Sequence, residues 1–179
     1  MTAPAPEGAL PFGIEIQVET GGWTGAGMPD LDALASRAAS AAASIVEMAT
    51  VPGSEVSMLF CDDATIRDLN NRFRGKDKAT NVLSFPGDEP PEDGSVRPVG
   101  PLIGDIALAF ETIRRESSEL GIPFDDHLTH LIVHGLLHLF GYDHIFDEDA
   151  AVMEPLETRI LATLGIADPY ASATFAMDQ

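Results

Sequence analysis

Ile14, Ile16 and Val18 alternate with Glu15 and Gln17, a period of two that predicts a strand with one wet face. Glycines at 21, 22, 25 and 27 break the pattern and read as a loop. Asp30 is placed to cap an Ala-rich helix running to about residue 50, where Pro52-Gly53 ends it. Val56, Met58 and Phe60 alternate again over residues 54–61 and predict a second strand. Asp62 or Asp63 caps a short helix to about residue 73, a basic loop follows over 75–80, and residues 81–85 read as a third strand. Residues 87–100 are rich in Pro, Gly and acids and predict a mobile acidic loop. A fourth strand over 102–110 leads into a helix over 111–120 that Gly121 stops. Pro123 opens a Leu-rich helix whose first turn carries Asp125 and Asp126, acids that suit the positive end of a helix dipole. The last helix, 148–164, places Met153, Leu156, Ile160 and Leu164 in a core stripe. The expected fold class is therefore α+β. It is a single domain over residues 13–166 with a small mixed sheet of about four strands and about five helices, between a flexible extension (1–12) and a flexible tail (167–179).

Composition changes this picture little. A chain of 179 residues is most simply one domain, and 45% hydrophobic content is enough for a core. No apolar run approaches the ~18 residues of a membrane span, and no positively charged region followed by an apolar stretch opens the chain. The single cysteine, Cys61, excludes an intramolecular disulfide and reads as a small buried hydrophobe at a strand end rather than a catalytic thiol. Together these features favour the cytoplasm and no membrane partner.

The candidate chemistry is concentrated in His134-Gly-Leu-Leu-His138-Leu-Phe-Gly141-Tyr-Asp-His144, a pattern of the form H-x-x-x-H-x-x-G-x-x-H. Two histidines four apart share one helix face, close enough for both imidazoles to hold one cation. Gly141 can take the left-handed conformation that ends a helix, letting the chain return His144 to the same point. Three imidazoles with a fourth position left for water describe a catalytic zinc site, one Zn²⁺ per chain. The cage is zincin-like and resembles that of metzincin proteases, but the glutamate that serves those enzymes as general base is replaced by Gly135. A glycine inside a helix costs about 1 kcal/mol relative to alanine, so something is expected to approach the helix closely there. Asp143 is either a turn residue or an acceptor that orients His144; Tyr142 is read as packing rather than a phosphate donor. His127 is expected at the surface.

The segment Leu69-Asn-Asn-Arg72-Phe-Arg74-Gly75-Lys76-Asp77-Lys78-Ala-Thr80-Asn81-Val82-Leu83-Ser84-Phe85-Pro86, with Gly104-Asp105-Ile106 and the 134–144 run, resembles the YbeY family of bacterial RNA-processing metalloproteins. The likeness runs from about Met58 to about Gly165 in the family's order. It implies a metal-dependent, single-strand-specific endoribonuclease acting in ribosomal RNA maturation, notably at the small-subunit 3′ end, and in ribosome quality control. It also implies His134, His138 and His144 as metal ligands and Arg74 as the functional arginine. His130 matches the family one turn ahead of His134, leaving open a supporting role beside the site or simple packing. Asp105 matches a family position with no role that follows from its chemistry.

Net charge is −19, which argues against nucleic-acid binding, because such binding draws on Lys and Arg that neutralise phosphates. The ten basic residues are unevenly placed, however: Arg67, Arg72, Arg74, Lys76 and Lys78 stand within twelve residues. A local basic strip on an acidic body can still steer a phosphate backbone. Arg72, Lys76 and Lys78 are the candidate RNA-binding residues, and Arg74, with its planar fork, the candidate for stabilising phosphate charge. Expected partners are single-stranded RNA, ribosomal RNA, and the ribosome or its proteins. The alternatives are a metzincin-like metallopeptidase and a non-catalytic ribosome-assembly factor with a structural metal.

Overall fold

A computed structural model describes residues 9–19, 21–87, 100–142 and 147–171. Its architecture is α+β: a four-stranded mixed sheet and five α-helices around one main core. Strand β1 (Gly13–Val18) pairs in parallel with β2 (Glu55–Cys61), β2 pairs in parallel with β4 (Leu102–Ala109), and β3 (Val82–Pro86) closes the edge antiparallel to β4, giving the order β1-β2-β4-β3. Helix α1 (Leu31–Ile45) follows β1, α2 (Asp63–Arg74) follows β2, and α3 (Phe110–Leu120), α4 (Phe124–Leu139) and α5 (Asp147–Thr163) complete the chain.

Local signals set most of these boundaries. Asp30 caps α1 by accepting from the Ala33 amide, and Asp62 caps α2 by accepting from the Thr65 amide. Gly75 and Gly121 end α2 and α3 in the left-handed conformation. Two expectations are corrected. Helix α1 stops at Ile45 rather than near residue 50: Val46 turns extended, and the chain runs on to Thr50, whose hydroxyl donates to the Pro11 carbonyl at 2.6 Å. The glycine loop also contains a 3₁₀ turn (Gly21–Thr24), because Trp23 is buried against Phe60, Phe110 and Phe124 and its indole N–H donates to the Cys61 carbonyl.

Helix α4 is the centre of the molecule. Nearly every residue from Phe124 to Leu139 is buried, His127, His130 and His134 among them, because other elements pack around the helix. It lies between α1, α3 and α5 on the helical side and β3 and β4 on the other. Alanines 35, 38, 39 and 42 of α1 are fully buried and keep the helical layer thin. The opposite face of the sheet is covered only in part, by α2, over a small second cluster of Cys61, Ile66, Leu83, Ala107 and Ala109.

Candidate metal centre

His134 and His138 stand one turn apart near the C-terminal end of α4. Their Nε2 atoms are 3.0 Å apart and their rings nearly perpendicular, at 77°. Metal–nitrogen bonds of 2.0–2.1 Å in a tetrahedron place two nitrogens about 3.3 Å apart, so the pair fits one shared cation. His134 is buried while His138 is only half-buried, so the pair opens towards solvent on the His138 side. Gly141, at φ 97°, takes the left-handed conformation beyond the helix end, and the Tyr142 amide donates back to the Leu137 carbonyl. The third expected ligand, His144, and its neighbour Asp143 lie outside the described residues; among the described residues no set of three metal-ligating side chains converges.

Behind His134 stands a residue that sequence reasoning missed. Glu157 of α5 is fully buried, and its Oε1 lies 2.5 Å from His134 Nδ1. With Nδ1–H donating to the carboxylate, the Nε2 lone pair of His134 faces His138. The other carboxylate oxygen accepts from the Tyr170 hydroxyl and lies 3.7 Å from His130 Nε2. Burial pushes the Glu157 carboxyl up, but hydrogen bonds and charge from His130 and His134 outweigh it and hold the pKa at about 2. Burial and the Glu157 charge push the Tyr170 hydroxyl well above its usual range, so it stays a donor. A carboxylate that fixes the tautomer and ring orientation of a ligating imidazole is a recurrent feature of metal sites, and this arrangement fits that role.

Gly135 faces the sheet. A Cβ there would meet two Ile106 methyl carbons at 3.1 Å and Ser84 Oγ at 3.2 Å. The close approach expected from the sequence is thus the packing of α4 on β3 and β4, and it leaves no room for a glutamate. The Ser84 hydroxyl also donates to the Gly135 carbonyl at 3.4 Å.

Arg74, the last residue of α2, reaches the same strand from outside. Its Nη2 donates to the Ser84 carbonyl at 2.8 Å, and its guanidinium lies 5.7 Å from the Phe85 ring. Gly87 N–H donates to Ile103 and Ala109 N–H to Asn81. The alternation of an antiparallel ladder therefore turns the Ser84 carbonyl to the open edge, where the arginine takes it. Arg74 is tied to the metal helix through a single strand. Arg72, Lys76 and Lys78 are exposed nearby. Arg72 pairs with Asp68 at 3.5 Å, and Arg67 pairs with Asp77 at 2.8 Å, so part of the basic strip is answered by its own acids.

The model of the family described as endoribonuclease YbeY matches residues 26–165. The chain belongs to the endoribonuclease YbeY family. A protein of that name from Rhizobium meliloti is 52% identical over 162 residues, covering 88% of this chain and 94% of the relative. One from Bradyrhizobium diazoefficiens is 54% identical over 143 residues, covering 80% of this chain and 78% of the relative. The solution structure of TM1509 from Thermotoga maritima is similar in fold, with a TM-score of 0.50 at 22% identity over 89% of this chain and 99% of that one.

One histidine differs from its reading in sequence, and a second, whose role the sequence left open, is placed. His127 is not at the surface: it is buried between α3 and α4, with Nε2 3.5 Å from Glu116. His130 is buried too, and it touches the network behind His134 through Glu157 and Tyr170 rather than packing alone. Cys61 is buried as expected; its thiol donates to the Leu108 carbonyl at 3.5 Å, and burial pushes its pKa up to about 12. Glu157 had a signal: it falls at the i+4 position from Met153 and i−3 from Ile160, inside the apolar stripe of α5, where an acid requires a buried partner. Tyr170 had none.

Proposed function

We propose that this protein is a zinc-dependent endoribonuclease specific for single-stranded RNA, acting in maturation of ribosomal RNA, at the small-subunit 3′ end, and in ribosome quality control in the cytoplasm. RNA cleavage by an endonucleolytic hydrolase is what the family's description carries. The metal reading rests on the paired Nε2 atoms of His134 and His138, 3.0 Å apart, with Glu157 holding the outer nitrogen of His134. His144 completes the proposed ligand set. A zinc ion held there supplies Lewis acidity toward an attacking oxygen, either water or the RNA 2′-hydroxyl.

The chain's own residues divide the remaining work. Glu157 keeps His134 in the tautomer whose Nε2 can ligate, and Tyr170 and His130 hold Glu157. Arg74 presents its guanidinium at the β3 edge, where it can neutralise charge on phosphate oxygens in a bidentate way that lysine cannot copy. Arg72, Lys76 and Lys78 extend that positive edge along the backbone of the strand being cut. The peptidase alternative loses ground at Gly135, since the base position is filled by Ile106 and Ser84. No described helix is long and apolar enough to cross a membrane.

The deciding experiment pairs metal content with cleavage of single-stranded and duplex ribosomal RNA by wild type, His138→Ala and Arg74→Ala. One metal per chain and single-strand cleavage lost in both variants is the expected result. One metal per chain without cleavage, even with ribosomes present, transfers the conclusion to the assembly-factor reading.

A further inference from the structure

The sheet face opposite α4 carries a cleft of about 420 Å³. Glu15, Ser57, Asp105 and Phe85 lie in register across β1, β2, β4 and β3, so they form one row on that face, with strands about 4.8 Å apart. The row is polar at three positions and aromatic at the fourth. Phe73 of α2 overhangs the aromatic end, its ring centroid 5.4 Å from that of Phe85. Phe73 is 63% exposed, more than any other large apolar side chain among the described residues.

An isolated exposed apolar residue needs no explanation. This one has a particular setting. The Arg72 guanidinium lies 5.7 Å from the Phe73 ring, and the Arg74 guanidinium lies at the same distance from the Phe85 ring while donating to the Ser84 carbonyl at the strand edge. Arg74 therefore sits at the open edge of β3, between the face on which the metal helix packs and the face on which the cleft opens. The charges are sorted as well. Cations line the rim, whereas Glu15 and Asp105 stand inside. Phosphates are attracted to the rim and repelled from the interior; a neutral, flat group bearing N–H donors suits the interior.

We propose that Phe73 and Phe85 form a stacking platform for one unpaired nucleobase beside the phosphate held by Arg74, with Asp105 accepting from the amino group on that base's edge. The proposal rests on the nuclease reading and adds a cause for single-strand selectivity. Bases in a duplex are stacked on each other and cannot reach an aromatic platform, whereas splayed bases can. It also adds a base preference, because a carboxylate acceptor favours adenine, cytosine or guanine over a base without an amino group.

The test uses the full chain, at low salt, with single-stranded RNA oligonucleotides carrying one 2-aminopurine at successive positions. Wild type is expected to quench the fluorophore at one position. Phe73→Leu keeps the apolar bulk without the π-face and is expected to bind single strands about 5- to 100-fold more weakly and to lose the quenching, while Phe73→Tyr retains both. Duplex affinity is unchanged in each. Asp105→Ala is expected to erase the preference for adenosine over purine riboside, its analogue without the amino group, at the same position. Equal single-strand affinity and quenching in Phe73→Leu and wild type overturn the platform; if wild type still cleaves, the nuclease reading survives. A Phe73→Leu variant that loses only ribosomal-protein binding also overturns it and assigns the cleft to a protein. Wild type without single-strand affinity overturns the nuclease reading and the platform together.

Discussion

Glu157 carries the strongest consequence of any single residue, because it is a fully buried charge touching the deeper of the two described histidines of the site. An unpaired carboxylate in that position would cost several kcal/mol, and its two oxygens are answered instead by His134, Tyr170 and His130. Glu157→Gln keeps an oxygen that can accept from His134 Nδ1 but removes the charge that makes the imidazole a better donor to a metal. Zinc affinity, measured by chelator competition, is expected to fall by about 10- to 100-fold with the fold intact by circular dichroism. Glu157→Ala removes the acceptor altogether, and the buried donors left behind are expected to cost about 1–3 kcal/mol each in urea unfolding of the metal-free protein. Unchanged metal affinity in Glu157→Gln would reduce Glu157 to a structural residue.

At the scale of elements, the contact between α4 and the β3–β4 edge joins the histidines to the arginine. Gly135 is what lets the helix sit that close. Gly135→Ala gains about 1 kcal/mol of helix propensity, but its Cβ must displace the Ile106 Cγ2 methyl, which is fixed one bond from the branched Cβ, and overpacking costs about 1–3 kcal/mol. The expected balance is a loss of up to about 2 kcal/mol in urea unfolding, together with slower RNA cleavage as Ser84, and with it Arg74, moves outward. A more stable and fully active Gly135→Ala would show that the contact is loose. The same helix marks where sequence reading succeeds and where it stops. Strands β1 to β4 were legible because alternation at Ile14 to Val18 or Val56 to Phe60 is a local signal, and Asp30, Asp62, Gly75 and Gly121 announce helix ends through their own side chains or lack of them. The His134 and His138 pairing was legible because a four-residue spacing is fixed by helix geometry. His127 was misread because α3 covers the face on which it stands, and periodicity cannot report a neighbour that arrives from elsewhere in the chain. Glu157 meets His134 across 23 residues of sequence and Tyr170 meets His130 across 40, and no local pattern encodes those meetings.

On the scale of the whole molecule, the net charge of −19 and the basic edge pull RNA in opposite directions. Arg67 and Arg72 already face Asp77 and Asp68, so the positive surface offered to phosphates is smaller than the five-residue strip first implies. About three phosphate contacts along the strip from Arg72 to Lys78 on a single strand predict a slope of roughly −2 in a plot of log affinity against log salt concentration. Isolated protein is therefore expected to bind free RNA weakly near physiological salt and measurably below it. Replacing Lys76 with Gln should flatten the slope by about 0.7 without altering which base is preferred, because a phosphate contact carries no sequence information. The acidic body then acts as a filter. It weakens encounters with random RNA, and it leaves specificity to whatever brings a single strand to the Arg74 edge. A salt-independent affinity, or tight binding of random RNA at physiological salt, would mean that the strip does not work through phosphates, and the ribosome would no longer be needed to supply the missing affinity.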